Sequence, residues 1–303
     1  MKLGAKENRF YVWGAGLFCL ILLMLLTPTV PQSQDYHIFA DRRNFFVPNT
    51  LNVISIFPFL IIGVIGFVLC LHGNYFGLSL RGEVWGWLSF YAGVEATAFG
   101  SAYYHLKPDD ARLVLDRLPV TIAFISIMVI FIIERIDERT GTASLFPLLT
   151  LGIASIAYWR LFDDLRPYVL VQFIPFIAIP AMSILLPPKY THSVYWLWSA
   201  GFFLLAEIAE ATDKKLYKLT HYIISGHTLK HLSAAMVPIL LTIMLSRRSI
   251  KIERAIWTLR PVIKELSKPS SKDSRVQGER RRFNDGKEEG FLMEWNIDMQ
   301  VAT

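Results

Sequence analysis

The chain has 303 residues, 53% of them hydrophobic and only 18% charged, with a mean hydropathy of +0.39. A soluble domain averages about 25% charged residues, so the composition excludes an ordinary soluble globular domain and points to a chain dissolved in lipid. The net charge of +6 does not indicate a nucleic-acid partner, because the clearest basic excess lies at the two chain ends, where membrane topology accounts for it.

Crossing the hydrocarbon takes about 20 apolar residues in a helix. Eight runs qualify: Tyr11–Leu26, Thr50–Leu71, Val84–Tyr104, Leu113–Ile133, Ala143–Trp159, Tyr168–Leu186, Ser193–Ala209 and Tyr222–Leu245. The fifth and seventh are short. The first follows Lys2, Lys6 and Arg9 and has the form of a signal segment. Because no small-x-small cleavage site follows it, a retained signal anchor over residues 1–34 is expected. A multi-helix membrane domain over 35–248 comes next. Residues 249–303 mix both charges with Ser, Gly and Pro and read as a flexible, charged cytosolic tail. Within it, Arg280–Arg282 reads as a solvated charge run rather than a lipid-binding patch.

Lys2, Lys6 and Arg9 at one end, and Arg247, Arg248, Lys251 and Arg254 at the other, predict that both termini are cytosolic. An even number of spans satisfies this, although Lys214, Lys215 and Lys218 then fall on the opposite side. Cys19 and Cys70 both lie in apolar runs and read as small hydrophobes.

Polar residues inside hydrocarbon are costly and therefore informative. The third span ends in Ser101 and His105, four apart on one helix face. The fourth begins with Asp116 and Arg117, and the eighth begins with His227 and His231, again on one face. Alternation through the bilayer brings these ends to one side and one depth. Three His at one depth match a tri-His zinc site with a fourth position for water. Asp116 would orient or deprotonate that water, and Ser101 would donate a hydrogen bond to a polarised carbonyl. Each residue also has a plainer reading. A membrane His often only bonds a neighbouring helix, and an i, i+4 pair also suits haem or a proton relay. Ser101 fits a bond to its own backbone, and Asp116 fits an interfacial ion pair with Arg117. The coincidence at one depth favours the metal site.

Other polar residues are assigned less sharply. Glu207 and Glu210 both suit a hydrogen bond to a metal-bound His; for Glu210 an interfacial loop is the favoured reading, and Glu207 stays open between that bond and packing against a polar partner. Glu95 stays open between the two kinds of role. Asn49 and Asn52 are expected to cap a helix or to bond between helices.

The phrases PNTLNVIS, GSAYYH, DRLPVTI and SGHTLKHL, which carry Ser101, His105, Asp116, His227 and His231, resemble the CREST superfamily of membrane hydrolases. The alkaline ceramidase branch, especially its plant and bacterial relatives, is the most similar. The resemblance spans roughly Asp35 to Leu245. It implies an all-α seven-helix bundle, here preceded by one extra N-terminal helix. It implies zinc on His105, His227 and His231, with Asp116 as the base and Ser101 at the scissile carbonyl. The implied substrate is ceramide or a related N-acyl sphingoid lipid taken from the bilayer, cleaved to a fatty acid and a sphingoid base. The implied location is an endomembrane such as ER or Golgi. Animal members bind calcium on an acidic cluster before the first span. Here Asp35, Asp41 and Asn44 supply oxygens, but Arg42 and Arg43 sit among them and oppose calcium. A receptor of the progestin and adipoQ type and a His/Asp transporter are the competing readings. The short N-terminus speaks against the first, and polar groups gathered on one side speak against the second.

Overall fold

The computed structural model describes residues 24–78 and 80–249, together with Leu22. All regular structure among them is helical. A 3-10 turn, Gln34–His37, precedes α1 (Thr50–Ile54), α2 (Phe57–Leu71), α3 (Arg81–Leu106) and α4 (Asp110–Arg135). Then follow α5 (Glu138–Phe162), α6 (Arg166–Leu185), α7 (Tyr195–Ala211), the short α8 (Asp213–Leu219) and α9 (Gly226–Arg247).

Five stretches among the described residues are long and apolar enough to cross a membrane: Thr50–Leu71, α4, α5, α6 and α9. The runs expected at Val84–Tyr104 and Ser193–Ala209 are helical but fall outside these five. α3 carries Glu83 and Glu95 with several Ser, Thr and Gly, and α7 has only 17 residues. Outward faces are strongly apolar, with Phe146, Leu161, Ile177 and Leu185 all exposed. Of the expected first span only Leu22 and residues 24–26 are described, and these are helical. Of the expected tail only Ser249 is described, its backbone bonded to Thr191.

Side-chain caps set the helix starts. Asp109 accepts from Arg112 N at 2.8 Å, Asp137 from Thr140 N at 2.9 Å, and Ser225 from Thr228 N at 3.1 Å. Each satisfies a backbone donor that a first helical turn leaves free. The last of these corrects the eighth expected run. Its helix begins at Gly226, because His221 and Tyr222 adopt positive φ (53° and 63°) and Ser225 then caps the new helix. The expected run Thr50–Leu71 is divided at Ser55–Ile56, just before Phe57-Pro58. Pro58 falls in the first turn of α2, where its missing N–H is not needed.

α3 and α4 run antiparallel and touch through glycine. A Cβ on Gly93 would stand 2.9 Å from Ala123 N, and one on Gly100 would overlap the Leu115 carbonyl oxygen. Small residues let two backbones approach this closely. The contact sets the C-terminal end of α3 beside the N-terminal end of α4, and α9 starts at the same end. At the opposite end a buried ionic network ties the helices together. Arg248 Nη2 lies 3.1 Å from Glu83 Oε2, and the Tyr190 hydroxyl donates to Glu83 Oε1 at 2.7 Å. Beside it, Glu134 pairs with Arg135 at 3.3 Å and accepts from the Trp196 indole. Between the two ends lies an aromatic core of Trp87, Phe90, Tyr91, Phe131 and Trp196.

Candidate metal centre

His105 occupies the last turn of α3, and His227 and His231 the first two turns of α9. All three are buried, at 1%, 3% and 7% exposure. One ring nitrogen from each can be chosen so that all lie within 4.8 Å of one another. His105 Nε2 and His227 Nε2 stand 3.4 Å apart. No other group of three or more His, Cys, Asp or Glu among the described residues is gathered closely enough to hold a metal.

The surrounding bonds decide where the imidazole protons sit. The Ser55 hydroxyl donates its only hydrogen to the Asn52 carbonyl at 2.9 Å, so it can only accept from His231 Nδ1, which lies 2.7 Å away. His227 Nδ1 is 2.6 Å from Glu210 Oε2 and donates to that carboxylate. Both rings therefore carry the proton on Nδ1 and turn an Nε2 lone pair away from it. His105 Nδ1 is buried without a partner among the described residues. Imidazole lone pairs converging in a buried space, with the outer N–H groups engaged, are the donor set of a nitrogen-ligated metal ion. The residues present fit such an ion.

Local structure explains how the ligands meet. A Cβ on Gly226 would collide with Ala209 O and Asp213 Cα, so only glycine lets the start of α9 close on the end of α7. That approach brings Glu210 to His227. Asp213 Oδ1 accepts from His227 N, and its Oδ2 from Ala40 N, both at 2.8 Å. Asn49 Nδ2 donates to the His105 carbonyl at 2.8 Å, and Asn52 Oδ1 accepts from Thr228 at 2.9 Å. The Phe39 ring lies over the rings of His105 (4.8 Å) and His227 (4.5 Å) and covers them from the loop before α1.

A cavity of about 330 Å³ leads away from the histidines. Ser101, Asp116, Glu207 and Lys230 line it near His227 and His231, and its far walls are apolar, with Val94, Ile127 and Leu241 among them. Asp116 and Ser101 thus share one cavity with two of the histidines. Glu207 lines the cavity but makes no hydrogen bond to a histidine among the described residues. Glu210 lies within α7 rather than in the favoured loop, and it, not Glu207, is the residue that bonds His227. Its Oε1 is also 3.3 Å from Lys230 Nζ. Sequence reasoning missed Lys230, Ser55, Phe39 and Asp213. The i, i+3 spacing of His227 and Lys230 was the available signal for the first.

The oxygens considered for calcium are arranged otherwise. Both Asp41 oxygens are held by the Arg43 guanidinium, at 2.9 and 2.7 Å. Burial pushes the Asp41 carboxyl up, but the Arg43 side-chain and backbone bonds outweigh it and leave it below the usual range. Asp35 and Asn44 are exposed. The Arg43 guanidinium takes the place a cation would need at Asp41.

No protein-family model and no curated protein matches the chain.

Proposed function

We propose that the chain is a zinc-dependent amidase of the membrane interior, which hydrolyses the N-acyl bond of ceramide or a related sphingolipid. The observation that carries the reading is the gathering of three buried imidazoles, two of which line a largely apolar cavity. That combination suits a reaction on a lipid whose chains lie in the cavity while its polar linkage meets the ligands. The resemblance of the SxxxH, Asp and HxxxH constellation to alkaline ceramidases supports it. So does the presence of Ser101 and Asp116 among the residues that line the same cavity as His227 and His231.

Zinc on the three histidines supplies a Lewis acid for the amide carbonyl and lowers the pKa of a bound water to about 7. The protein's residues do the rest. Asp116 takes a proton from the attacking water and returns it to the amide nitrogen, which without protonation is a poor leaving group. Ser101 donates a hydrogen bond to the carbonyl oxygen as negative charge develops there. Glu210 and Ser55 hold His227 and His231 in the tautomer that ligates. Phe39 and the apolar walls exclude bulk water.

In this reading the chain is integral to an endomembrane, both termini face the cytosol, and a CREST-type bundle surrounds the cavity. The test is release of fatty acid from ceramide, dihydroceramide and phytoceramide by the purified full chain. Release by wild type and its loss in Asp116→Asn supports the reading. No release from any of the three by zinc-loaded, folded protein rejects it.

A further inference from the structure

Arg117 is the strongest unabsorbed feature of the cavity. It follows Asp116 directly, yet the two do not pair, and no carboxylate among the described residues lies within salt-bridge distance of it. Its guanidinium is 6% exposed and sits among three aromatic rings, 4.3 Å from Trp159, 4.7 Å from Tyr168 and 5.4 Å from Tyr36. Nη2 donates to Gln32 Oε1 at 2.8 Å, whereas Nη1 is buried with no partner. Arg117, Tyr36 and Tyr168 all line the cavity.

A buried guanidinium with no carboxylate in ion-pair contact is an expensive arrangement, since the desolvated cation gives up water without a direct ionic partner. Ring quadrupoles offset part of this. The remaining donor is unspent, and two further hydroxyls join it. Tyr168 accepts from Gln172 Nε2 at 2.7 Å, which leaves its own hydrogen free, and the Tyr36 hydroxyl makes no hydrogen bond among the described residues. The Tyr36 phenol lies within the electrostatic reach of Lys230 and Arg117, and also of Glu210 and Asp116. Three free donors gathered at one place describe a seat for an oxyanion. Asp116, Glu207 and Glu210 also line the cavity, and Asp116 acts on both tyrosines, so an anion is held only where the Arg117 donor outweighs them.

We propose that Arg117, with Tyr36 and Tyr168, binds an anionic head group, a phosphate monoester or a carboxylate, on the lipid that occupies the cavity. The proposal deepens the amidase reading and rests on it for the role of the lipid, since it admits an acidic-headed acyl amide beside the neutral ones. Guanidinium bonds to an oxyanion are charge-assisted and roughly twice as strong as neutral ones.

The test separates the two ideas by using a ligand with no amide to cleave. Binding of labelled dodecyl phosphate and dodecanol to the full chain in uncharged detergent is measured for wild type, Arg117→Gln and Arg117→Lys. The expected result is a preference for the phosphate of roughly tenfold or more. It should be lost in Arg117→Gln and partly kept in Arg117→Lys, with metal content unchanged in both. Inorganic phosphate that competes only at far higher concentration identifies a lipid head as the source, and competition at equal concentration identifies a free anion at the same seat. Equal binding of the two amphiphiles by wild type overturns the proposal even if Arg117→Gln fails to fold. So does a preference that survives in Arg117→Gln. Neither result bears on whether amides are hydrolysed.

Discussion

Glu210 Oε2 stands 2.6 Å from His227 Nδ1, which places a carboxylate from α7 behind an imidazole of α9. A carboxylate that accepts the outer N–H of a ligating His fixes its tautomer and raises its basicity. Glu210→Gln is expected to weaken metal binding about 10–100-fold while leaving the fold intact, because the amide oxygen still accepts the bond. Titration against a chelator of known affinity measures this, and unchanged affinity would remove Glu210 from the centre.

Asp116 is assigned the proton transfers and no ligand bond. Asp116→Asn is expected to keep full metal content and to lose turnover by about 10²–10⁴-fold. Paired metal analysis and rate measurement check both halves. Turnover at the wild-type rate would remove Asp116 from the mechanism.

The α3–α4 contact is a backbone approach. Gly100→Leu forces a side chain into the Leu115 carbonyl, and the helices must separate. The expected loss is about 1–3 kcal/mol or more, read as a lower unfolding temperature in detergent. The same change at Gly201, where a Cβ meets nothing within 4 Å, should have little effect.

How much of this was legible in the chain depends on the kind of signal. The histidine triad was legible because helix periodicity places residues four apart on one face and alternation sorts span ends into two sides. The bond to His227 from Glu210 rather than Glu207 was not, since it turns on whether α7 continues past Ala209, a matter of two residues at a helix end. Ser55 was hidden inside an apolar run, although Pro58 marks the break that turns it inward. Arg117 was weighed as an ion-pair partner of Asp116. Adjacent residues point to different helix faces, and its guanidinium enters the aromatic cluster instead.

Acid should loosen the turn before α6. The Arg166 guanidinium beside Asp164, with backbone bonds from Arg166 and Val30, holds that carboxyl below its usual value of 3.8. A lowered folded-state pKa means that its contribution is complete above the unfolded value and fades as pH falls through the folded one. Wild type is therefore expected to lose stability below about pH 4. Asp164→Asn should lack this component of the slope in thermal unfolding across pH 3–6. Identical slopes in the two proteins would contradict the assignment.

The opposite end of the bundle depends on Glu83 and Arg248. Arg248→Met leaves the Glu83 carboxylate buried with only the Tyr190 bond, and removal of one partner of a buried pair costs about 3–5 kcal/mol. The double change Glu83→Gln with Arg248→Met should recover much of that loss. Unfolding temperatures of the singles and the double test the coupling, and strict additivity would argue against it.

The central claim is that the three histidines bind a metal ion, and metal analysis of the detergent-purified full chain tests it most directly, wild type beside His231→Ala. The account predicts about one zinc per wild-type chain and its loss in the variant, with helical content unchanged. Folded wild-type protein that holds no metal after zinc loading, or a variant that keeps full occupancy, would contradict it.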